Sequence, residues 1–426
     1  MKKAVLEQWW SPLSRPIYTY NFHPRPALMN PSCISTLISS VLPPPSTSPK
    51  TPPPQTRSKI LDPFCGTGTT LLTSILKGHD AYGVDCSPHA VGISMVQTMV
   101  TTERERQEIE VYISGHCDDH ISSDDVGPDS KTYPTPTFPS KSPHPPHPHD
   151  SKLELVFRYV LDYECRVPFE TWRRPLSFPS RLRKTGVRLV NRLNELAEKC
   201  GRDEETEKKT EPNVEVHLGD ARYLDCVFLN GGEEVFFDGL VTSPPYPGVY
   251  DYRVDDDEGG GGKSVLGEYV EVIMGRGGGE EGGKDSCHEG EGDGREEMGG
   301  EIGSKGGEIG SKKASLEASL EDFTEQWIRD TSMWLEAAFR RLRLGGRAAL
   351  LVGDNMGIDS FDVIVRAAEI VNGREEAKKG GWRIAVMANA KVVEGDGRRP
   401  WGKHKRNFRT EHCTLLEKRV LGGGEG

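Results

Sequence analysis

The chain has 426 residues, a net charge of −11 and a mean hydropathy of −0.57, so the length allows two domains but the polarity limits the core. With 48 glycines and 30 prolines, much of the chain is expected to lie outside any packed unit. Nine cysteines without a Cys-x-x-Cys pair, and no long apolar run, argue against a disulfide framework, a secretory leader and a membrane span. A soluble intracellular protein of cytoplasm or nucleus, or of an organelle, is the expectation.

Residues 1–42 form an N-terminal segment, followed at 43–56 by a stretch rich in Pro, Ser and Thr. Ile60-Leu61-Asp62 then reads as a short apolar strand, Pro63-Phe64-Cys65-Gly66-Thr67-Gly68 as a glycine turn, and Thr69-Thr70 through Leu76 as a helix. Gly66 and Gly68 permit a tight turn and close approach to a ligand, and the helix N-terminus suits a carboxylate. A lone Gly-x-Gly is weak, and this is not the full dinucleotide fingerprint. Ala81-Tyr82-Gly83-Val84 is a second strand that ends in Asp85, 23 residues after Asp62 and near the spacing at which an acid meets a ribose hydroxyl pair. Cys86-Ser87-Pro88 follows, so Asp85 also suits a helix N-cap. His116-Cys117-Asp118-Asp119-His120 lacks the second ligand pair of a zinc site, and no metal is expected.

Residues 118–150 and 201–212 are low-complexity or nearly all charged, with too little apolar surface to offset ordering, and disorder is the expectation. Between them, 151–200 reads as a helical insertion with amphipathic helices over 153–163 and 187–197, and it is the candidate recognition region. Its basic cluster from Trp172 to Arg188, and a second from Arg398 to Arg409, have the composition of phosphate-binding surfaces, although solvated faces look the same. Val214–Leu218 is a strand leading to Gly219-Asp220. Asp238–Thr242 is another, and it ends abruptly in Ser243-Pro244-Pro245-Tyr246, where two prolines cannot continue a ladder. Such a rim leaves carbonyls unpaired beside an aromatic ring.

The segment 254–314 is expected to be a Gly/Glu-rich linker with a possible short helix over 265–274. From Asp255 to Lys313 there are 16 acidic and 7 basic residues, so the rest of the chain is close to neutral and a polyanionic partner stays admissible. Phe323–Leu342 has helical periodicity, closed by a glycine cap at Leu344-Gly345-Gly346. The alternation predicts an α/β fold: a doubly wound, mostly parallel sheet with ligands at the carboxyl ends of its strands. Cofactor-binding (57–117) and catalytic (213–253 with 315–420) halves complete the expected division.

Asp62-Pro63-Phe64-Cys65-Gly66-Thr67-Gly68-Thr69-Thr70 together with Ser243-Pro244-Pro245-Tyr246 resembles the S-adenosylmethionine-dependent amino-methyltransferases of nucleic acids, cytosine-N4 and adenine-N6 type. Phe22–Ala27, Leu342–Val352 and Arg409–Lys418 resemble the family's opening segment, its turn and strand after the catalytic motif, and its closing strand. The family's lysine and aromatic after the opening segment are replaced here by Leu28 and Met29.

The resemblance implies a Rossmann-like methyltransferase sheet and S-adenosylmethionine as cofactor. It assigns the 62–69 turn to the methionine portion, Asp85 to the ribose and Asp220 to the adenine amine. It makes Ser243 Oγ and the Pro244 carbonyl acceptors for the target amine, Pro245 a brace and Tyr246 a stacking ring. Serine at the head of the tetrapeptide implies cytosine N4 in DNA, a target that must leave its helix. An RNA enzyme acting on guanine N2 or adenine N6, and an inactive binding protein of the same fold, stand as alternatives. Carbon-5 methylation is excluded, because no Pro-Cys pair supplies its nucleophile.

Overall fold

Asn30 opens the first described element: its side chain accepts the Ser32 N–H and Pro31 brings a preset φ, so α1 runs Pro31–Val41. The structure is a computed structural model that describes residues 29–42, 57–119, 152–156, 178–200, 212–230, 233–245, 306–354, 358–374, 380–393 and 408–419. The opening segment 22–27, Tyr246, the stretch 265–274, the basic residues 398–406 and most of the expected linkers lie outside them.

After α1 come β1 (Lys59–Asp62), α2 (Thr69–Leu76), β2 (Asp80–Asp85), α3 (Pro88–Gln97), α4 (Glu103–Asp119), α5 (Lys152–Val156), α6 (Phe178–Cys200) and β3 (Val214–Leu218). A 3-10 turn (Ala221–Tyr223), α7 (Leu224–Val227) and a hairpin of β4 (Leu229–Asn230) and β5 (Glu233–Glu234) lead to β6 (Phe237–Thr242). The chain ends with α8 (Gly306–Arg341), β7 (Leu342–Gly353), α9 (Ser360–Gly373), β8 (Gly381–Val393) and β9 (Phe408–Arg419).

Seven strands form one sheet in the order β3-β2-β1-β6-β7-β9-β8. All run parallel except β9, which is antiparallel to both neighbours. This is a doubly wound, mostly parallel, Rossmann-like sheet. The order reverses between β1 and β6, which makes their carboxyl ends the switch point where such sheets take ligands.

Both faces are covered, so the central strands are apolar on both sides. Ile60, Val241, Ala349, Leu351 and Leu415 pack with Ile34, Leu37 and Ile38 of α1. Their chain neighbours Leu61, Leu240, Ala348, Leu350 and Leu416 face the opposite way, into a core with Trp334, Leu335 and Ala338 of α8 and Val363, Ile364 and Ala367 of α9. Alternation with a period of two therefore assigns each residue to its layer. A satellite core joins α3, α4, α5 and α6 through Ile93, Val96, Ile109, Ile113, Leu155 and Leu189. Among the described residues no helix is long and apolar enough to cross a membrane.

Three boundaries differ from the sequence expectation. The helix expected over 187–197 runs Phe178–Cys200. The helix expected from Phe323 begins at Gly306, inside the expected linker, where Lys312, Lys313, Ala314, Leu316, Glu317 and Ala318 are good helix formers. It also ends at Arg341 rather than at a glycine cap. Leu342 already pairs with Phe237, and Gly345 (φ 77°) instead turns the backbone where the β6–β7 register shifts.

Candidate active site

β1 and β6 run side by side in parallel, with Leu61 opposite Leu240. Their ends meet in one hydrogen bond: Thr242 Oγ1 donates to Asp62 Oδ1 at 2.6 Å. The glycine turn and the proline rim, 180 residues apart in sequence, are thereby adjacent. Ser243 and Pro245 are half-buried and Pro244 is buried, directly beyond the last paired residue of β6.

The turn from Pro63 to Gly68 is held at four of its five backbone N–H groups. Phe64 N–H donates to Asp62 Oδ1 at 3.1 Å, Cys65 N–H to Val84 O at 3.0 Å, and Gly66 N–H to Asp85 Oδ2 at 2.9 Å. Gly68 N–H returns to Cys65 O at 2.8 Å, and Ser94 Oγ of α3 donates to Gly66 O at 2.6 Å. The Phe64 ring meets Trp334 of α8 edge-on, 5.4 Å between centroids, which anchors the turn in the core. Thr67 and Thr69 are buried, and Gly68 N-caps α2 with no side-chain hydrogen bond. The first-turn N–H groups of α2 therefore have no capping side chain and suit an anionic group.

Both glycines hold positive φ, 52° at Gly66 and 87° at Gly68. They differ in surroundings. A Cβ on Gly68 would meet Ser94 Oγ at 3.0 Å and Ser94 Cα at 3.2 Å, whereas one on Gly66 would meet nothing within 4 Å. Among the described residues, Gly66 thus opens on free space at the switch point.

Asp62 is fully buried and its carboxyl is raised to about 6, chiefly by burial and also by the nearby Asp85. The hydroxyls of Thr242 and Thr70 and the Phe64 N–H oppose that rise. Thr70 lies close enough to moderate the charge, yet neither Thr70 Oγ1 nor Asp62 Oδ2 makes a hydrogen bond of standard geometry. A raised folded value means that Asp62 favours the fold fully below its ordinary value of 3.8 and loses that contribution as pH rises through about 6. Ionised at pH 8, it costs about 3 kcal/mol. A proton or a cationic group on Oδ2 relieves that cost.

Asp85 takes one N–H on each oxygen, Gly66 on Oδ2 and Ser87 on Oδ1, both at 2.9 Å. The α3 cap is Ser87, whose side chain accepts from Ala90 N–H, so Asp85 is not the cap. Asp220 is engaged differently. Its oxygens accept from Arg222 N–H (2.8 Å), Nε (2.9 Å) and Nη2 (2.6 Å), and it caps the 3-10 turn. Arg222 Nη1 donates to the buried Asp330 of α8 at 2.8 Å. The Asp220 bonds, with Asp330 second, hold the guanidinium above its usual value despite burial.

Arg222→Ala would leave Asp330, 5% exposed at its side chain, without its cation. A loss of about 3–5 kcal/mol in denaturant unfolding is expected. Arg222→Lys should recover part of it, since a point charge does not replace the guanidinium fork.

Cys65 is buried, and burial, with the Asp85 and Asp62 charges adding, pushes its thiol well up. It stays protonated and packs in the turn. One further polar pair lies on the same sheet edge: His412 Nε2 is 2.8 Å from Asp354 Oδ1, which also accepts the Ser360 N–H. Asp354 follows β7 directly and His412 pairs with Val352. Asp359 comes within 4.8 Å of both, but its Oδ1 caps α9.

Thr242, Ser94, Arg222 and Asp330 are the residues that sequence reading did not assign. Thr242 was legible only as a strand end. Arg222 has a weak signal, an Asp-x-Arg spacing after a strand. Ser94 and Asp330 have none, because a helix residue's partner across a layer leaves no local pattern.

No protein-family model and no curated protein matches the sequence. Several solved structures resemble the fold distantly. TrmN from Thermus thermophilus is 10% identical with a TM-score of 0.31, over 92% of this chain and 49% of that one. The chain thus spans about half the length of that protein. The rRNA methyltransferase aviRa from Streptomyces viridochromogenes is 9% identical with a TM-score of 0.32, over 93% and 88% of the two chains. CrArsM, an arsenic(III) S-adenosylmethionine methyltransferase from Chlamydomonas reinhardtii, is 10% identical with a TM-score of 0.30, over 88% and 67%.

Proposed function

We propose that this protein transfers a methyl group from S-adenosylmethionine to an exocyclic amine of a nucleobase, cytosine N4 in DNA. The observation that carries this reading is the Thr242–Asp62 hydrogen bond, which brings the donor-type turn and the proline rim to one switch point. S-adenosylmethionine fits the residues present. It carries positive charge that stabilises the ionised form of the buried Asp62, a carboxylate for the uncapped α2 N-terminus, a ribose that the resemblance gives to Asp85, and bulk for the space above Gly66. When bound, it supplies an already activated methyl group on a sulfonium.

The chain's own task is then orientation rather than strong base catalysis. A cytosine amine is a poor nucleophile because its lone pair is delocalised into the ring. Ser243 Oγ and the Pro244 carbonyl accept its two N–H bonds and favour a more pyramidal nitrogen. Pro245 has no N–H and a fixed φ, so the Pro244 carbonyl is held in place. The resemblance gives stacking on the base to Tyr246, which lies outside the described residues. Asp220, with its acceptor sites occupied by Arg222, acts on the adenine end chiefly by fixing the turn after β3.

The reading is tested by offering labelled S-adenosylmethionine with separate DNA and RNA pools, then analysing nucleosides by mass. The expected product is N4-methyldeoxycytidine. Label on an RNA amine would move the substrate to RNA, and label on a ring carbon would refute the clamp chemistry.

A further inference from the structure

We propose that Thr242 is a positioning residue whose hydroxyl, donated to the buried Asp62, couples the donor turn to the target clamp that begins at Ser243. The inference rests on the reading above and adds a link between its two halves.

Thr242 is the last residue of β6 held by the sheet, paired with Leu350 of β7. Ser243 comes next, and its direction is set by the final anchored side chain before it. That anchor is fully buried and bonds across to Asp62 Oδ1 at 2.6 Å. Asp62 in turn accepts the Phe64 N–H of the donor turn on the same oxygen, while Oδ2 is buried and, among the described residues, makes no hydrogen bond of standard geometry, with the Thr70 hydroxyl close enough to moderate its charge. A buried, half-satisfied carboxyl is costly as an anion. Below about pH 6 a proton relieves that cost in the free protein, and the positive charge of a donor bound over the turn favours the ionised form. The ionised state is the stronger acceptor, and it tightens the Thr242 bond.

Filling the donor site therefore stiffens the residue from which the clamp projects. By linkage, a base held in the clamp raises donor affinity by the same factor. Among the described residues, the groups acting on Asp62 are Thr242 of β6, Thr70 of α2, the Phe64 N–H and the Asp85 carboxylate at the end of β2. The Cys65 thiol of the turn stands in the same charge field. Asp62 sits near 6, and Thr242 is one of the groups that hold it down. Removing that hydroxyl moves the midpoint up.

The test uses full-length protein and two variants. Thr242→Val keeps the shape and removes the hydroxyl; Thr242→Ser keeps the hydroxyl. Affinity for S-adenosylmethionine is measured by calorimetry from pH 5 to pH 8, and methyl transfer is measured at pH 8. In the wild type, affinity should fall as pH drops through about 6. In Thr242→Val that fall should begin at higher pH, affinity at pH 8 should stay within about twofold, and transfer should drop roughly tenfold. Thr242→Ser should track the wild type on both readouts.

An unchanged pH profile in Thr242→Val overturns the link, as does equal impairment of the serine variant. A wild type that binds the donor but methylates neither DNA nor RNA defeats the proposed function alone, and the affinity profiles still decide the Asp62 link. A wild type that binds no donor at any pH removes both.

Discussion

Ser243→Ala is expected to lower methyl transfer roughly a hundredfold while S-adenosylmethionine affinity stays within about twofold. Ser243 lies outside the β6–β7 ladder, half-buried and followed by a buried Pro244, so its loss removes an acceptor and little packing. An acceptor for the amine N–H works only when the nitrogen is being alkylated, so the loss belongs to turnover rather than to donor binding. Single-turnover rates with a DNA pool and calorimetric donor binding separate the two. An equal loss in both would place Ser243 in the donor site instead, and unaltered transfer would leave the Pro244 carbonyl as sole acceptor.

The glycine turn yields the second large effect, and the two glycines are expected to fail in different ways. Gly68→Val puts a β-branched residue at φ 87° with its Cβ 3.0 Å from Ser94 Oγ and 3.2 Å from Ser94 Cα. The near atoms include backbone of α3, which cannot yield cheaply, so a loss of roughly 2–4 kcal/mol in unfolding is expected. Gly66→Ala meets no atom within 4 Å, and only its φ of 52° counts against it. About 1 kcal/mol of stability is at stake there. The added methyl nevertheless projects into the space assigned to the donor, and affinity should fall at least roughly tenfold, the equivalent of about 1.4 kcal/mol. Thermal unfolding with donor titration of both variants checks this. A Gly66→Ala protein that binds the donor normally would show that the space above the turn is not the donor cradle.

The fold was readable because its signals are local. Ile60-Leu61 and Leu240-Val241 are short apolar runs that end at glycine or proline, and the helices between strands repeat at helical spacing. Boundaries suffered where a local signal was real but served another purpose. Gly345 does adopt positive φ, yet it turns the backbone inside β7, since the Phe237–Leu342 pairing had already ended α8 four residues earlier. Asp85 suited a ligand first and a cap as well, and Ser87 took the cap because its side chain reaches Ala90 N–H.

By itself the sequence determined which residues could do chemistry and which end of the sheet they would occupy. Strand, turn and helix are short-range choices, and a parallel sheet puts the residue after each strand on one edge. Only the tertiary structure decided the state of those residues. Asp62 is an ordinary acid in the sequence. It becomes a buried carboxyl raised to about 6 because β1 is enclosed on both faces, and Thr242 of β6 reaches across to hold that rise down. Asp220 became the partner of Arg222 because α8 brings Asp330 to the guanidinium's other side. Burial and cross-layer hydrogen bonds join residues separated by 108 and 180 positions, and no local pattern in the chain encodes such a meeting.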